Sequence, residues 1–570
     1  MSRILDLADI QGNILRPYGA LGFPKARTLF VHFTDPLLGR AFVEALRPKI
    51  TTASRWPTAN EAAADATHPR IKTAIQAAGE EDYPGEVMQE RPEVALNIAF
   101  TFKGLYQLQV PIRTLQALPQ EFIDGMAPRA SILGDPVTVP GTPEDKRDEI
   151  WQKSVGVNAV HAMISLNAQM DKTTGQPVEK LAQMTQWVVD QAAQFKVTVL
   201  PGNGRDKGLW HDSSAILKQM ADGSWVPTRE EHFGYTDGFG DPVFAGQFPL
   251  AAEQIAVPGR GKIAPDGSWQ PLATGEFLLG HADEAQEVPG AAMPNDFSRN
   301  CTFMAWRKLH ENVKAFKEHI RDEAPDFAAV TGTPAQEASD TLMAKIAGRW
   351  PDGVPLENFP SFAERTRFNA ALAAAKQAKD LKAEAELVRQ YTDFRYGDAP
   401  GKAKPGPDLD GLRCPVTSHM RRANPRDMLN PAIDLPNTPA NRNNGSALVN
   451  RRRILRRGLP YGACDPAAPD NEGEHGILFM AVCASLFRQF EFLQQQWIHY
   501  GLDFNAGNDT CPMIGNHNVP GVTAKFVVPG EKPFISAPLP QFVEFRGGDY
   551  FFVPSMTSLR MIGMGIVDPT

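Results

Sequence analysis

The first 200 residues alternate short apolar runs with longer segments in which apolar residues recur every three or four positions. β-Branched and aromatic residues are concentrated in four runs, which we predict to be strands: residues 28–33, 97–102, 157–166 and 196–200. Helical spacing predicts helices at residues 121–126, with an exit at 131–135, and at 181–195. Because strands and helices do not alternate as in βαβ units, this half is predicted to be a ferredoxin-like α+β sandwich.

The carboxyl-terminal region repeats this arrangement. Residues 477–484 and 550–553 are predicted strands, and residues 486–500 are a predicted helix with an apolar stripe. A second ferredoxin-like sandwich is therefore expected. A turn and polar residues near Asp222 indicate a boundary between domains of residues 1–221 and 222–570.

Helical patterns also occupy the stretch between these two sandwiches. Residues 307–321 have helical spacing of apolar positions, and residues 362–388 are rich in Ala, Lys and Glu. We predict a peripheral helical insertion of about residues 308–411 in the second domain. Two DGSW segments, at 222–225 and 266–269, are predicted hairpin turns.

The composition of the 570 residues is that of a globular protein, with 42% hydrophobic and 22% charged residues. The net charge of -8 argues against a nucleic-acid partner for the whole surface. The longest apolar run, residues 477–487, is too short to span a bilayer, so no membrane association is expected. The start of the sequence has no secretory pattern, and a cytoplasmic protein is expected.

Five cysteines are scattered along the chain without a CxxC pair. This arrangement has neither the CxxCH motif of covalent haem attachment nor the paired spacing of a zinc site. An odd number of cysteines fits a reducing compartment better than a disulfide framework.

The segment CPVTSHMRRANPRD at residues 414–427 contains one histidine among several arginines. A neutral imidazole is a good axial ligand for haem iron, so His419 is a candidate metal ligand. The neighbouring Arg421, Arg422 and Arg426 could pair with the carboxylates of a porphyrin. A histidine in such a loop can equally be a structural residue.

Two further segments carry candidate chemistry. In HFGYTDGFGDP, residues 232–242, three glycines allow a backbone to approach a flat ligand closely, although Asp237-Gly238 can also be a simple tight turn. In RRRILRRGLPYG, residues 451–462, five arginines could form a phosphate-binding patch or a localisation signal. A strand that sends its arginines to opposite faces is at least as consistent with the sequence.

Together these segments resemble the dye-decolorizing peroxidases. The GYTDG segment at 234–238 resembles their GxxDG motif, the arginine-rich segment resembles the strand that carries their distal arginine, and His419 matches their proximal haem ligand. The resemblance continues through DIQGNIL at 9–15, NIAFTFKGL at 97–105, GEFLLG at 275–280 and RGGDYFFVPS at 546–555. It is poorest between about residues 308 and 411.

The resemblance implies a peroxidase with one non-covalent haem b per chain, which reduces hydrogen peroxide and oxidises phenols and bulky dyes. Asp237 would be the acid–base residue and Arg456 the distal arginine, with Arg453 or Arg457 as alternatives. The residues implied to line or bind the haem are Gly238, Phe239, Gly240, His419, Asn424, Pro425, Arg426, Arg456, Ile477 and Phe479. Asp509 or Glu491 would accept the hydrogen bond of His419, and a homo-oligomer is compatible with this assignment.

Two other functions are compatible with the sequence. One is a haem-binding or iron-handling protein of the same fold with incidental peroxidase activity. The other is an enzyme without haem, in which Asp237 and the arginines bind an anionic substrate.

Overall fold

A computed structural model describes residues 5–19, 22–54, 56, 91–204, 206–248, 250–289, 292–397, 406–433 and 444–566. Part of the predicted insertion, residues 398–405, lies outside these described residues. None of the helices in the described part is both long and apolar enough to cross a lipid bilayer.

Nine strands form one antiparallel sheet. Its members are β1 (Lys25–His32), β2 (Val94–Phe100), β3 (Ala162–Ala168), β4 (Thr198–Val199), β5 (Trp210–Ser214), β10 (Thr302–Glu311), β11 (Leu455–Tyr461), β12 (Gly476–Cys483) and β15 (Val543–Val553). Two-stranded ribbons are formed by β6 (Leu217–Gln219) with β7 (Trp225–Pro227), β8 (Lys262–Ile263) with β9 (Trp269–Gln270), and β13 (Phe526–Val528) with β14 (Phe534–Ser536).

The order of the strands in the large sheet is β11-β12-β10-β15-β2-β3-β1-β4, and β5 also pairs with β1. Strands β1 to β4 have the 2-3-1-4 order of a ferredoxin-like unit, and β10, β11, β12 and β15 repeat that order. The two units join where β15 pairs with β2 at Phe552 and Phe100. The predicted pair of ferredoxin-like sandwiches is confirmed. Strand β5 also packs against β11, so the two ends of the sheet approach each other as in a barrel.

The helices Pro36–Leu46, Glu179–Gln194 and Met556–Met564 cover one face of the first half of this sheet, and the other longer helices pack in clusters of their own. Helices of seven or more residues are Pro36–Leu46, Glu179–Gln194, Leu250–Ala256, Val313–Thr331, Ala338–Ala347, Phe362–Gln377, Leu381–Arg389 and Met556–Met564. The shorter helices are Gly12–Leu15, Phe102–Gln107, Ile112–Leu115, Gln120–Asp124, Ala130–Leu133, Glu149–Gln152, Asn295–Ser298, His419–Ala423 and Ala447–Asn450. Two wide π-type segments, Leu486–Glu491 and Leu493–Ile498, form the helix predicted at residues 486–500.

Alternate residues of each strand serve different cores. Leu29, Leu96 and Ile164 pack under the helices, whereas Phe30 and Met163 belong to a separate aromatic cluster on the other face. Successive side chains of a strand point to opposite faces of the sheet, so both faces are buried here and the runs of β-branched and aromatic residues are continuous rather than alternating. The bounds differ in β3, which begins at Ala162 rather than at residue 157.

The prediction of a helix over residues 307–321 is wrong in its first part. Strand β10 continues to Glu311, and the helix begins only at Val313. The predicted helix over residues 362–388 is interrupted, because the Asp380 side chain accepts hydrogen bonds from the backbone N–H groups of Lys382 and Ala383 and so begins a second helix. Both DGSW segments lie at hairpin turns, between β6 and β7 and between β8 and β9, as predicted.

Candidate functional site

A cavity of about 870 Å³ lies on the helix-covered face of the second ferredoxin-like unit. Its volume is within the usual range for small-molecule and cofactor sites, about 300–1,000 Å³. Nine of the residues predicted for the site or for haem binding line it: Asp237, Phe239, Gly240, His419, Asn424, Arg426, Arg456, Ile477 and Phe479. Gly238 and Pro425 are not among its lining residues.

Asp237 and Arg456 form an ion pair inside this cavity. Nη1 of Arg456 donates to both carboxylate oxygens of Asp237, at 2.8 and 2.9 Å. The loop that carries Asp237 is fixed because its N–H donates to the Arg229 carbonyl at 2.8 Å. About half of the Asp237 side-chain surface, 54%, remains open toward the cavity, so the carboxylate can reach a bound molecule.

The ion pair sets the ionisation of Asp237. Burial alone would raise the pKa of this carboxyl, but the charge of Arg456 and hydrogen bonds from Arg456 and the Gly238 backbone hold the pKa below its usual value. The carboxylate in turn raises the pKa of Arg456. Asp237 is therefore ionised over the whole neutral range and into acid.

His419 begins the short helix His419–Ala423 and lines the same cavity. The two arginines that follow it hold this helix in place. Nη1 of Arg421 donates to Asp408 Oδ2 at 3.0 Å and to the Cys414 carbonyl at 2.6 Å. Arg422 donates to the carbonyl of Trp497 at 2.8 Å. Both side chains are fully buried and point away from the lining, so of the three arginines near His419 only Arg426 could meet a ligand there.

The second ring nitrogen of His419 lies beside a thiol. Its Nδ1 is 3.4 Å from Sγ of the buried Cys511. The two acids considered as partners have other contacts: Glu491 binds Arg129 and the Tyr550 hydroxyl, and Asp509 pairs with Lys525. The neighbour at Nδ1 is therefore a thiol and not the expected carboxylate.

Three arginines, of which Arg426 and Arg453 are buried and Arg349 is half-buried, place positive charge on the cavity lining, which also carries acidic side chains such as those of Asp237 and Glu311. Arg349, Arg426 and Arg453 line it, and burial lowers the pKa of each, to about 9 for Arg349 and Arg453. The guanidinium of Arg349 donates to the carbonyls of Gly353 and Tyr391. Buried cations held by neutral carbonyls favour a ligand that brings negative charge, such as a carboxylate.

Two strand residues and an aromatic pair give the cavity flat apolar surfaces. Ile477 and Phe479 are two positions apart on β12 and both face the cavity, whereas Leu478 between them is buried on the other side of the sheet. Phe239 stacks on Tyr391 with ring centroids 4.8 Å apart and an angle of 7° between the planes. These surfaces suit a flat, largely apolar ligand.

Sequence reasoning missed Arg349 and a pair of buried carboxyl groups. Glu231 and Glu311 line the cavity, and Glu231 accepts hydrogen bonds from the N–H groups of Phe233 and Tyr235 at 2.8 and 2.7 Å. Burial raises the pKa of Glu231 to about 7, and burial beside Glu231 raises the pKa of Glu311 well above its usual value. The pair can thus hold a proton near Asp237 at neutral pH.

The alternative distal arginines have different positions. Arg457 faces the other side of β11, where it binds Asp241 at 2.7 Å and the carbonyls of Asn13 and Ile14. Arg453 lines the cavity and donates to the carbonyls of Gly261 and Arg260. Of these arginines, Arg456 is the one that pairs with Asp237.

Comparisons with known proteins find similarity to one family of peroxidases. Residues 9–201 match the family described as the DyP dimeric alpha+beta barrel domain. A dye-decolorizing peroxidase of Auricularia auricula-judae is 25% identical over 82% of this chain and 75% of that protein. One from Exidia glandulosa is 26% identical over 97% of this chain and 86% of that protein.

Solved structures show the same fold. A dye-decolorizing peroxidase in complex with 2,6-dimethoxyphenol has a TM-score of 0.65 at 20% identity, and the alignment covers 98% of this chain and 100% of that chain. The enzyme from Auricularia auricula-judae has a TM-score of 0.64 at 22% identity, over 98% of this chain and 99% of that one.

Proposed function

We propose that this chain, which belongs to the dye-decolorizing peroxidase family, binds haem b without covalent attachment, reduces hydrogen peroxide and oxidises phenols and bulky dyes. The observation that carries the proposal is the convergence of His419, the Asp237–Arg456 pair and three further arginines, Arg349, Arg426 and Arg453, on one cavity. These groups come from separate segments of the chain, around residues 237, 349, 414–427 and 451–462, and together they supply a metal ligand, an acid–base group and counter-charges.

The residues present fit a haem. The imidazole of His419 provides a ligand for the iron, and Arg349, Arg426 and Arg453 provide cations for the two carboxylates of the porphyrin. Ile477, Phe479 and Phe239 provide apolar surfaces for its ring. When bound, haem would supply a redox-active iron that takes electrons from the reductant and passes them to peroxide.

Asp237 has the properties of the acid–base residue in that reaction. Its ionised carboxylate can take a proton from one oxygen of hydrogen peroxide and return it to the oxygen that leaves as water. The depressed pKa of Asp237 keeps the base available in acid, where a histidine would be protonated. Half of this side chain faces the cavity, so the transfer needs no change in the fold.

Arg456 contributes charge and orientation. Its guanidinium fixes the carboxylate of Asp237 through two hydrogen bonds and remains next to the space where peroxide would lie. Negative charge that develops on the separating oxygens is stabilised by a preorganised cation. The Glu231 and Glu311 pair, near Asp237, can supply or store protons for successive turnovers.

Cys511 is the group that orients His419 in this proposal. With Nε2 toward the metal, Nδ1–H of the ring points to Sγ at 3.4 Å. Burial opposes ionisation of Cys511, but the charge and hydrogen bond of His419 hold the pKa of this thiol below its usual value, so the sulfur is a suitable acceptor for the ring.

The first test is spectroscopic. Full-length protein produced with a supply of haem is expected to show a Soret absorption band, which one equivalent of hydrogen peroxide shifts within seconds. Acidified acetone is expected to extract the haem completely. A Soret band that peroxide leaves unchanged would favour the haem-binding or iron-handling function, and absence of any Soret band would favour an enzyme that binds an anionic substrate without haem.

Three further proposals concern the whole molecule. They are the division into domains of residues 1–221 and 222–570, a cytoplasmic location, and a homo-oligomer, which is compatible with the family resemblance. Limited proteolysis, cell fractionation and light scattering on a sizing column, respectively, test them.

A further inference from the structure

A second group of metal-ligating side chains lies outside the cavity, in the loop that joins β11 to β12. Cys464 follows β11 by three residues, and His475 directly precedes β12. Ligand atoms of Cys464, Asp470 and His475 all lie within 4.8 Å of one another. One loop of residues 462–475 therefore brings a thiol, a carboxylate and an imidazole to one point.

The loop holds these groups in place by contacts of its own. Asp470 Oδ1 accepts hydrogen bonds from the backbone N–H groups of Glu472, at 2.8 Å, and of Gly473. The ring nitrogens of His310, on β10, lie 2.8 and 2.9 Å from the carbonyl oxygens of His475 and Asn471. These contacts tie the second half of the loop to the sheet.

His475 is fully buried, which is unusual for a loop residue. Its ring packs against those of His310 and His232, with centroids 5.2 and 5.5 Å away. Cys464 is half-buried and Asp470 is partly exposed. The group thus has an immobile, buried ligand on one side and an approach from solvent on the other.

A second cluster of metal-ligating side chains differs from this one because a lysine lies within it. Asp148, His211 and Glu474 also converge within 4.8 Å, but the ammonium of Lys308 lies among them. Its Nζ pairs with Asp148 at 2.7 Å and with Glu474. That cluster has a cation from the protein itself, so we assign no metal to it.

We propose that Cys464, Asp470 and His475 bind a zinc ion, with water as the fourth ligand. Zinc prefers sulfur and nitrogen ligands and accepts a carboxylate, whereas calcium and magnesium prefer oxygen ligands alone. Tetrahedral zinc with bonds of about 2.0–2.3 Å separates its ligand atoms by about 3.5 Å. The three ligand atoms lie close enough to reach that geometry by side-chain rotation.

The site would steady the hairpin that forms part of the cavity. Strand β11 carries Arg456, and β12 carries Ile477 and Phe479, so the loop between them links the metal to the position of all three. The zinc site does not depend on haem binding. A protein that fails to bind zinc could therefore still have the proposed peroxidase function.

The test uses the full-length, haem-loaded protein with its thiols reduced. After dialysis against a chelator, the protein is titrated with zinc chloride in competition with a metal-binding dye, and zinc per chain is then measured by elemental analysis. One zinc ion per chain is expected. X-ray absorption at the zinc edge, which haem iron does not obscure, is expected to show one sulfur ligand at about 2.3 Å.

Variants identify the ligands. Cys464→Ala and Asp470→Asn, both at accessible positions, are expected to weaken zinc binding at least roughly tenfold, and Asp465→Asn, in the same loop, is the matched control and should not. Binding well below one equivalent, a spectrum without sulfur, or unchanged affinity in Cys464→Ala would each overturn the site. Far-ultraviolet circular dichroism of the same samples shows whether the variants remain folded.

Discussion

The two ferredoxin-like units share a topology but use their helix-covered faces differently. In the first unit, the helices Pro36–Leu46 and Glu179–Gln194 press Phe42, Val43 and Val188 directly onto the sheet. In the second, the helix Val313–Thr331 buries Phe316 and Ile320 in a separate cluster with Trp497 and Phe542. The sheet beneath is left open, and the cavity occupies that space.

Strand β10 lies partly in the apolar core and partly along the cavity. Phe303 and Ala305 of β10 belong to the apolar core, whereas Arg307, Leu309 and Glu311, on the same face of the strand, line the cavity. The topology therefore does not determine whether a unit binds a ligand. Whether a unit has room for a ligand depends on where its helix packs and on which side chains its strand carries beyond the apolar core.

The largest effect is expected from His419→Ala. This change is expected to remove most of the haem while the protein stays folded, because the axial ligand is lost but both apolar cores remain. Haem content from the Soret absorbance, with far-ultraviolet circular dichroism as the check on folding, measures this. His161→Gln, in the first ferredoxin-like unit, is the matched control, and this variant should keep its haem. Full haem occupancy in His419→Ala would refute the ligand assignment.

Arg456→Leu should bind haem normally yet react with peroxide more slowly by roughly two to three orders of magnitude, the usual cost of losing one preorganised charge donor. Stopped-flow absorbance measures the rate. Arg457→Leu is the contrast, since Arg457 faces the other side of β11, and it should lower the melting temperature and leave the peroxide rate near that of the wild type. If Arg453→Leu slows the reaction and Arg456→Leu does not, the wrong arginine has been assigned.

Asp237→Asn is expected to abolish most of the turnover. In the wild type, activity should persist at low pH and decline only as the pH falls through the pKa of Asp237, which Arg456 and hydrogen bonds hold below its usual value. The variant has no ionisable group there and should lose that acid limb. Rates of the peroxide reaction across pH test both parts, with Asp237→Glu expected to recover part of the rate.

The two faces of β12 can be compared by truncation. Leu478→Ala is expected to lower the free energy of unfolding by about 2–5 kcal/mol, because Leu478 is buried in a packed core. Ile477→Ala, which shortens a side chain facing the cavity, should cost much less in the haem-free protein and should instead weaken haem binding. Equal losses of stability in denaturant titrations would mean that the cavity is as closely packed as the core.

The smallest effect concerns Glu231. Burial raises the pKa of this carboxyl to about 7, so its contribution to stability is complete below pH of about 4.5 and is lost as the pH rises toward 7. Glu231→Gln cannot ionise and should flatten that part of the curve of melting temperature against pH. Glu230→Gln, at the neighbouring exposed position, serves as the control, and parallel curves for Glu231→Gln and the wild type would exclude the raised pKa.

Much of the second unit could be predicted from sequence because its signals are local. The resemblance to the dye-decolorizing peroxidases implied Asp237, Ile477 and Phe479, and the strand predicted at residues 477–484 puts Ile477 and Phe479 on one face. Strand β10 was missed because Leu309, Val313, Phe316 and Ile320 keep helical spacing across the junction of a strand and a helix. Its sequence, TFMAWRKLHE, also lacks Val and Ile, the residues that identify strands most clearly.

The residues that sequence reasoning missed depend on distant parts of the chain. Arg349 follows the helix Ala338–Ala347, within the stretch that resembles the family least, and no spacing indicates that it returns to the cavity. Cys511 is 92 positions from His419, so their contact has no signal in a single sequence. Glu231, in a run of charged residues, has the appearance of a solvated turn until the fold buries it.

The bonds from Arg457 to the carbonyls of Asn13 and Ile14 link the beginning of the chain to the strand of the distal arginine. Because adjacent residues of a strand face opposite ways, Arg457 holds residues 9–15 on one side of β11 while Arg456, joined to it by one peptide bond, faces the cavity on the other side. An enzyme immobilised through residues near 9–15 would transmit any pull on its tether to that arginine.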